Sequence, residues 1–294
     1  MVFINSEGHF NENTYLIDGL LFRMKGFMAV YVIENKGMRL MIDTSSSLMA
    51  REIMKKIKEF GLYPIHKLLL THSHFDHIQG VGRLRGLQNE AEFEVLASEN
   101  AIENLKNPER MNEGLKVDPV ENVTSLKEGD IIDLNGLELE VLNFFGHTHD
   151  HIAVFDEKNK NIFTGDAILN KYDRETFSPT FMPPDFNESE LFKTFDKLRE
   201  MKPNLNSISL SHFGVWEGID LENIISEMEE IHHKTKNAII EWYSESHSRD
   251  YISAKYHEKF IPNSEIHTKE NLAGLKWIIN GLILGLLSSG CMQR

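Results

Sequence analysis

Lys67-Leu68-Leu69-Leu70-Thr71-His72-Ser73-His74-Phe75-Asp76-His77 decides how this chain is read. A short apolar run, residues 67–70, has strand character and leads straight into a cluster of metal-ligating side chains. On an extended backbone, residues i and i+2 project to the same side, so His72 and His74 can face one ion. Asp76 and His77 arrive where the chain turns into a helix and can face a second ion beside the first.

Upstream, residues 28–34 are apolar and β-branched, Asn35-Lys36-Gly37 signals a hairpin, and residues 39–42 return as a strand ending at Asp43. Ser47 reads as the N-cap of a helix whose Met49, Ile53, Ile57 and Phe60 line one face and which Gly61 closes. The order strand, strand, helix, strand puts the histidines just past a strand's carboxyl end, in a loop held by a rigid scaffold. Downstream, residues 89–116 read as a helical, polar stretch. Strands follow at 130–134, 137–143, 152–155 and 161–164, with turn signals such as Asn135-Gly136. Asn187 can cap a helix running to Met201, and residues 207–210 make a last strand ending at Ser211-His212. From Asp220 the pattern is helical: Leu221, Ile224, Ile225, Met228, Ile231, Thr235, Ile239 and Trp242 define one long amphipathic helix, and a final helix closes the chain. The expected division is a catalytic domain over residues 1–219 and a helical region over 220–294 packed on it.

The chain's 294 residues and 41% hydrophobic content suffice for a substantial core. A net charge of −14, without a cluster of Lys and Arg, disfavours nucleic acid as a partner and leaves a small-molecule substrate as the expectation. A homo-oligomer is left open. With one cysteine, Cys291, no disulfide can form within the chain, and residues 1–7 lack the basic-then-apolar order of a secretion signal, so the expected location is cytoplasmic. Residues 272–287 are strongly apolar, but Lys276 and Asn280 interrupt them. The run from Trp277 also falls short of the ~20 residues a membrane span needs. Leu272, Leu275, Ile279, Leu282 and Leu286 repeat at helical spacing, as in a helix packed on one face, so no membrane association is expected.

Seven of the fourteen histidines lie in three short segments, each after an expected strand. Besides 72–77 these are Gly146-His147-Thr148-His149-Asp150-His151 and Leu210-Ser211-His212, and Gly165-Asp166 adds a carboxylate. Imidazoles with one or two carboxylates suit zinc, and less specifically iron or manganese. The expected ligands are His72, His74 and His147 for one ion, Asp76, His77 and His212 for the other, and Asp166 bridging both. Asp76 and Asp166 are the candidate catalytic residues. Such a set leaves an open position for a shared water, which between two cations would lose its proton near neutral pH and act as a hydroxide nucleophile. His149 and His151 are read as candidates for orienting a ligand, with plain hydrogen bonding equally able to explain His149. Asp43 is read as holding a histidine's free N–H.

His72-x-His74-x-Asp76-His77, then Gly146-His147-Thr148, Gly165-Asp166 and His212, resembles the motif series of the metallo-β-lactamase superfamily. The match runs in the family's order from Tyr31 to His212, with Asp43 where the family closes an early strand with Asp. The resemblance implies an α+β fold: an αββα sandwich with two Zn2+ at one edge between the sheets and a helical C-terminal extension. It implies a metal-dependent hydrolase of a small-molecule ester, thioester, lactone or phosphodiester. The commonest zinc β-lactamases carry Cys where this chain has Asp166, which argues against antibiotic hydrolysis. Flavodiiron oxygen reductases have Glu where His74 stands and append a flavodoxin domain. Asp166 with Gly-His-Thr-x-x-His is similar to glyoxalase II, ribonuclease Z, acyl-homoserine lactonases and persulfide dioxygenases. Leu169 stands where the lactonases place a Tyr, and Tyr172 is out of register. The enzymatic alternative is a mononuclear iron persulfide dioxygenase using His72, His147 and Asp166. The loop with Tyr172, Phe177, Phe181, Met182 and Pro183-Pro184 reads either as a lid or as packing against the C-terminal helices, and Trp242 and Trp277 read as core.

Overall fold

A computed structural model describes residues 3–89, 92–112, 114–269 and 272–293. Parts of the stretches read above, at Met1, Val2, Glu90, Ala91 and Glu113, lie outside the described residues. In chain order the elements are β1 (Phe3–Ile4), β2 (Gly8–His9), β3 (Thr14–Asp18), β4 (Ala29–Asn35), β5 (Met38–Ile42), α1 (Ala50–Glu59), β6 (Lys67–Leu70), α2 (Phe75–Ile78), α3 (Val81–Gln88), β7 (Glu94–Ser98), α4 (Ile102–Lys106) and β8 (Val123–Leu126). There follow β9 (Ile131–Leu134), β10 (Leu137–Asn143), β11 (Ile152–Asp156), β12 (Asn161–Gly165), β13 (Asn170–Lys171), β14 (Phe177–Ser178), α5 (Glu188–Met201), β15 (Ser207–Leu210), β16 (Val215–Glu217), α6 (Gly218–Glu245), α7 (Arg249–Phe260) and α8 (Ala273–Ser288).

Two seven-stranded sheets lie face to face, ordered β2-β3-β4-β5-β6-β7-β8 and β1-β16-β15-β12-β11-β10-β9. The β4 sequence shows why they stack. Ala29, Tyr31 and Ile33 alternate into the layer between the sheets, where they meet Leu139, Val154 and Phe163. Val30 and Val32 project the other way, into the layer that holds Ile53 and Ile57 of α1. A strand buried on both faces reads as a continuous apolar run, as β4 does. Helices cover both outer faces, which completes the αββα sandwich. The Tyr31 hydroxyl reaches across to the carbonyls of Leu210 (2.8 Å) and Gly214 (3.0 Å), tying the two sheets together near the site.

Strand direction gathers the chemistry. β5, β6, β7 and β8 are parallel, and so are β12 and β15. β10 runs with β12, because each is antiparallel to β11 between them. Asp43, Thr71, Phe144, Asp166 and Ser211 therefore leave their strands at carboxyl ends along one edge of the sandwich.

Three local readings need correction. Residues 89–116 are not simply helical: β7 is a buried parallel strand inside the first sheet, with only α4 and short 3-10 turns after it. Its Val95-Leu96-Ala97 is a short apolar run, which periodicity cannot assign to strand or helix. Ser47 is not the cap of α1; Met49 holds that position without a side-chain hydrogen bond. α7, whose apolar positions are few, was not anticipated. Asn187 does cap α5, accepting from the N–H groups of Ser189 and Glu190.

α8 covers the carboxyl-end edge. Its Gly285 lies so close to the 181–183 loop that an added Cβ would sit 2.1 Å from the Phe181 carbonyl oxygen. No helix is long and apolar enough to cross a membrane among the described residues. Gly285→Ala should cost about 1–3 kcal/mol through that clash, despite alanine's better helix propensity. Gly86→Ala in α3, with open space around it, should instead stabilise by up to about 1 kcal/mol. Urea denaturation of the two variants checks the opposite signs.

Candidate metal centre

The edge of the sandwich brings all seven expected ligands into three overlapping groups, His72/His74/His147, His72/His77/Asp166 and Asp76/His77/His212, with the ligand atoms of each group within 4.8 Å of one another. In the first group the ring nitrogens form a triangle: His72 Nε2 to His74 Nδ1 is 3.0 Å, His74 Nδ1 to His147 Nε2 is 2.9 Å, and His147 Nε2 to His72 Nε2 is 3.2 Å. Three nitrogens on a tetrahedral zinc with bonds of ~2.05 Å would stand about 3.3 Å apart. In the third group His212 Nε2 lies 3.4 Å from Asp76 Oδ2, and His77 Nε2 lies 3.8 Å from Asp76 Oδ1. Asp166 stands between the groups, at 3.6 Å from His77 Nε2, 3.6 Å from His212 Nε2 and 3.8 Å from His147 Nε2. Such separations are too long for good hydrogen bonds and suit ligands that share an ion. His77 Nε2 and Asp166 Oδ1 are buried and have no hydrogen-bond partner, a costly arrangement unless a cation sits between them. The donor set fits a pair of metal ions.

Each imidazole is oriented by what its other nitrogen touches. His147 Nδ1–H donates to the Thr180 carbonyl at 2.5 Å, His212 Nδ1–H to the Phe27 carbonyl at 2.6 Å, and His74 Nε2–H to the Pro183 carbonyl at 3.1 Å. A carbonyl can only accept, so in the neutral ring the nitrogen facing the centre carries a free lone pair. His77 Nδ1–H donates to Asp43 Oδ2 at 2.8 Å, the role read for Asp43 from the sequence. The same carboxylate accepts from the Thr71 backbone N–H (2.9 Å), the Thr71 hydroxyl (2.9 Å) and the Ser211 hydroxyl (3.2 Å). With its proton on Asp43, Thr71 Oγ1 is left to accept from His72 Nδ1–H at 3.1 Å.

The electrostatics divide the centre. Burial, with neighbouring imidazoles adding to it, pushes the pKa of His72 well below the usual histidine value and that of His147 down to about 4, which keeps both in the neutral form a metal needs. At His77 burial acts the same way, but the carboxylates of Asp43, Asp166 and Asp76 outweigh it and raise the pKa well above the usual value. For Asp166 burial favours the neutral acid, yet His212 and His77 hold it ionised, well below the ordinary carboxylate range.

Three further residues take roles that differ from, or add to, the sequence reading. His151 does hold a ligand, though as an acceptor: its Nε2 accepts the backbone N–H of Asp166 at 3.0 Å, and its ring stacks on His72. His149 faces outward and pairs with Asp185 at the rim, apart from the metal-facing nitrogens. Asp150, given no role beforehand, is fully buried and brackets the two histidine loops. It accepts from Ser73 Oγ (2.5 Å), Thr148 Oγ1 (2.6 Å) and Asn104 Nδ2 (2.9 Å). The available signal was a carboxylate set among small hydroxyl residues inside a histidine-rich loop.

A cavity of about 640 Å³ opens over the centre, floored by His74, Asp76, His147, Asp166 and His212. Trp277, expected in the core, is 47% exposed and lines this cavity from α8, whereas Trp242 is buried as expected. The aromatic loop both packs and lines: Phe181 is fully buried, while Tyr172, Met182, Pro183 and Pro184 face the cavity.

The sequence model of the metallo-beta-lactamase superfamily matches residues 25–212, the span from the loop before β4 to the last histidine of the centre. The chain belongs to that superfamily. A metallo-beta-lactamase family protein of Thermus thermophilus superimposes with a TM-score of 0.69 over 94% of this chain and 92% of its own, at 18% identity, a likeness of fold. A probable metallo-hydrolase of Streptococcus pyogenes is 31% identical over 52% of this chain and 65% of its own length. A hydroxyacylglutathione hydrolase of Bdellovibrio bacteriovorus is 35% identical over 39% of each chain. Both matches span less than two thirds of the relative's own length.

Asp43→Asn should weaken metal binding roughly ten- to a hundredfold, because it alters the partner of His77 without touching an ion. His149→Ala should leave affinity and metal count unchanged. Competition against a chromophoric chelator checks both, and a lost ion in the His149 variant would add that residue to the ligand set.

Proposed function

We propose that the protein is a hydrolase using two zinc ions, held by His72, His74 and His147 and by Asp76, His77 and His212 with Asp166 between them. Its substrate is a small-molecule ester, thioester, lactone or phosphodiester. The observation that carries this reading is the pair of orphaned buried atoms, His77 Nε2 and Asp166 Oδ1, in the middle group that shares His72 with the first and His77 with the third. When bound, the metals would supply Lewis acidity and an activated water. The hydroxyacylglutathione hydrolases among its relatives support hydrolysis, and the two-group arrangement favours a metal pair over a mononuclear iron dioxygenase.

The protein's own groups have definite tasks in this scheme. Asp166, kept ionised by His212 and His77, turns Oδ2 toward both His147 and His212, one from each set of ligands, and Oδ1 toward His77. His151 fixes the backbone from which the Asp166 side chain projects. Asp76, the other carboxylate in the cavity floor, is held below its usual pKa by His77 and His212 against the effect of burial, so it stands ionised and ready to hold a cation with them. α8 and the 181–184 loop wall the opening and limit access of bulk water.

With zinc supplied, the protein should hydrolyse at least one member of a panel of thioesters, lactones and phosphodiesters, and a chelator should stop it. Asp166→Ala should lower turnover by at least about a thousandfold, the scale of losing a principal catalytic group. Retained turnover in that variant would remove Asp166 from its bridging role. Oxygen uptake with a persulfide, in place of hydrolysis, would favour the iron dioxygenase.

A further inference from the structure

The wall opposite the metal-facing nitrogens is apolar and rigidly built. α8 presents Trp277, Gly281, Leu284 and Ser288 to the cavity at helical spacing. At the rim Trp277 packs edge-on against Phe75 (6.0 Å ring to ring) and Phe22 (5.7 Å), which lie 6.1 Å from each other, so the three rings form one aromatic cluster. Of the cavity's lining Trp277 is 47% exposed, Leu284 43% and Leu115 39%, and Phe22, packed on Trp277 beside it, is 51% exposed. Large apolar residues grouped at one cavity mouth mark a binding site more than scattered exposure does. Phe22 is held there at a cost: its φ is +55°, between Leu20 at +49° and Arg23 at +63°. Left-handed backbone at a bulky residue persists where the surroundings impose it, and such residues gather at ligand clamps.

The charges of the cavity point the same way. Arg110 is the one Arg or Lys among its described lining residues, and its guanidinium already lies 3.4 Å from Asp185. Among the described lining residues no further Arg or Lys is left to hold a substrate bearing several carboxylates or phosphates, and the chain's net charge of −14 repels one.

We infer that the substrate carries an uncharged apolar chain or ring, laid along the cavity face of α8 beside the aromatic cluster at its rim, with Trp277 and Leu284 setting the preference for it. The inference rests on the hydrolase reading for its catalytic test and stands apart from it in binding. Apolar contact discriminates by area, so each methylene that the wall covers raises kcat/KM by up to about fourfold. The apolar part could belong to the acyl group or to the leaving group, and the wall recognises either in the same way.

The test uses the zinc-loaded full chain with two series of esters and thioesters, one lengthening the acyl side from two to ten carbons and one lengthening the leaving group. In at least one series kcat/KM should climb with length. Trp277→Ala and Leu284→Ser, both at exposed positions, should lower it by roughly tenfold for the long members and less than about twofold for the shortest. Decanoate should change the tryptophan fluorescence of the full chain and acetate should not, and the change should be absent in Trp277→Ala, a readout that needs no turnover. Hydrolysis that is flat in chain length in both series, with no decanoate binding, overturns the inference while leaving the hydrolase intact. No hydrolysis of any ester or thioester, with decanoate still producing that Trp277-dependent change, sinks that part of the hydrolase reading and leaves the apolar site standing.

Discussion

One buried carboxylate holds the active edge of this molecule together. Asp43 is fully buried where β5 ends, and it accepts from Thr71 after β6, from His77 in α2 and from Ser211 after β15. Those partners come from both sheets, so the same side chain joins the sandwich and orients the metal-facing imidazole of His77. A buried charge is tolerated when it is fully hydrogen-bonded, and removing its partners is costly. This explains why Asp43 can sit with a φ of +60° at the end of a strand: four hydrogen bonds hold it there.

From that anchor the rest of the centre follows by geometry. Parallel and alternating strands bring loop starts to one edge, and the loops supply ligands whose outward nitrogens are fixed by carbonyls of Phe27, Thr180 and Pro183. Two of those carbonyls lie in the loop that α8 presses against at Gly285. Packing of the C-terminal helix is thereby coupled to the aim of His147 and His74. The helical extension thus supports the ligands as well as forming one wall of the cavity.

Much of this was legible in the sequence, for identifiable reasons. Histidines and carboxylates in four ordered motifs, each after an apolar run, announce both the strand ends and the chemistry there. β4 and β5 could be read because a hairpin signal separates two β-branched runs. β7 could not, since Val95-Leu96-Ala97 is too short for periodicity to decide. The role of Asp43 was readable from its place at a strand end, whereas Thr71 and Asp150 act through contacts made across the fold, which spacing does not encode. Trp277 was misread because one helix face looks alike whether it meets the core or a substrate cavity. The exposure of its ring settles that, and exposure is a property of the folded chain.

The central claim is that the two ligand groups hold two ions at once. Elemental analysis of tag-free protein, made with both zinc and iron in the medium and purified without chelator, tests it most directly. Close to two zinc ions per chain is the predicted result. One iron per chain, or no bound metal after mild purification, would contradict it.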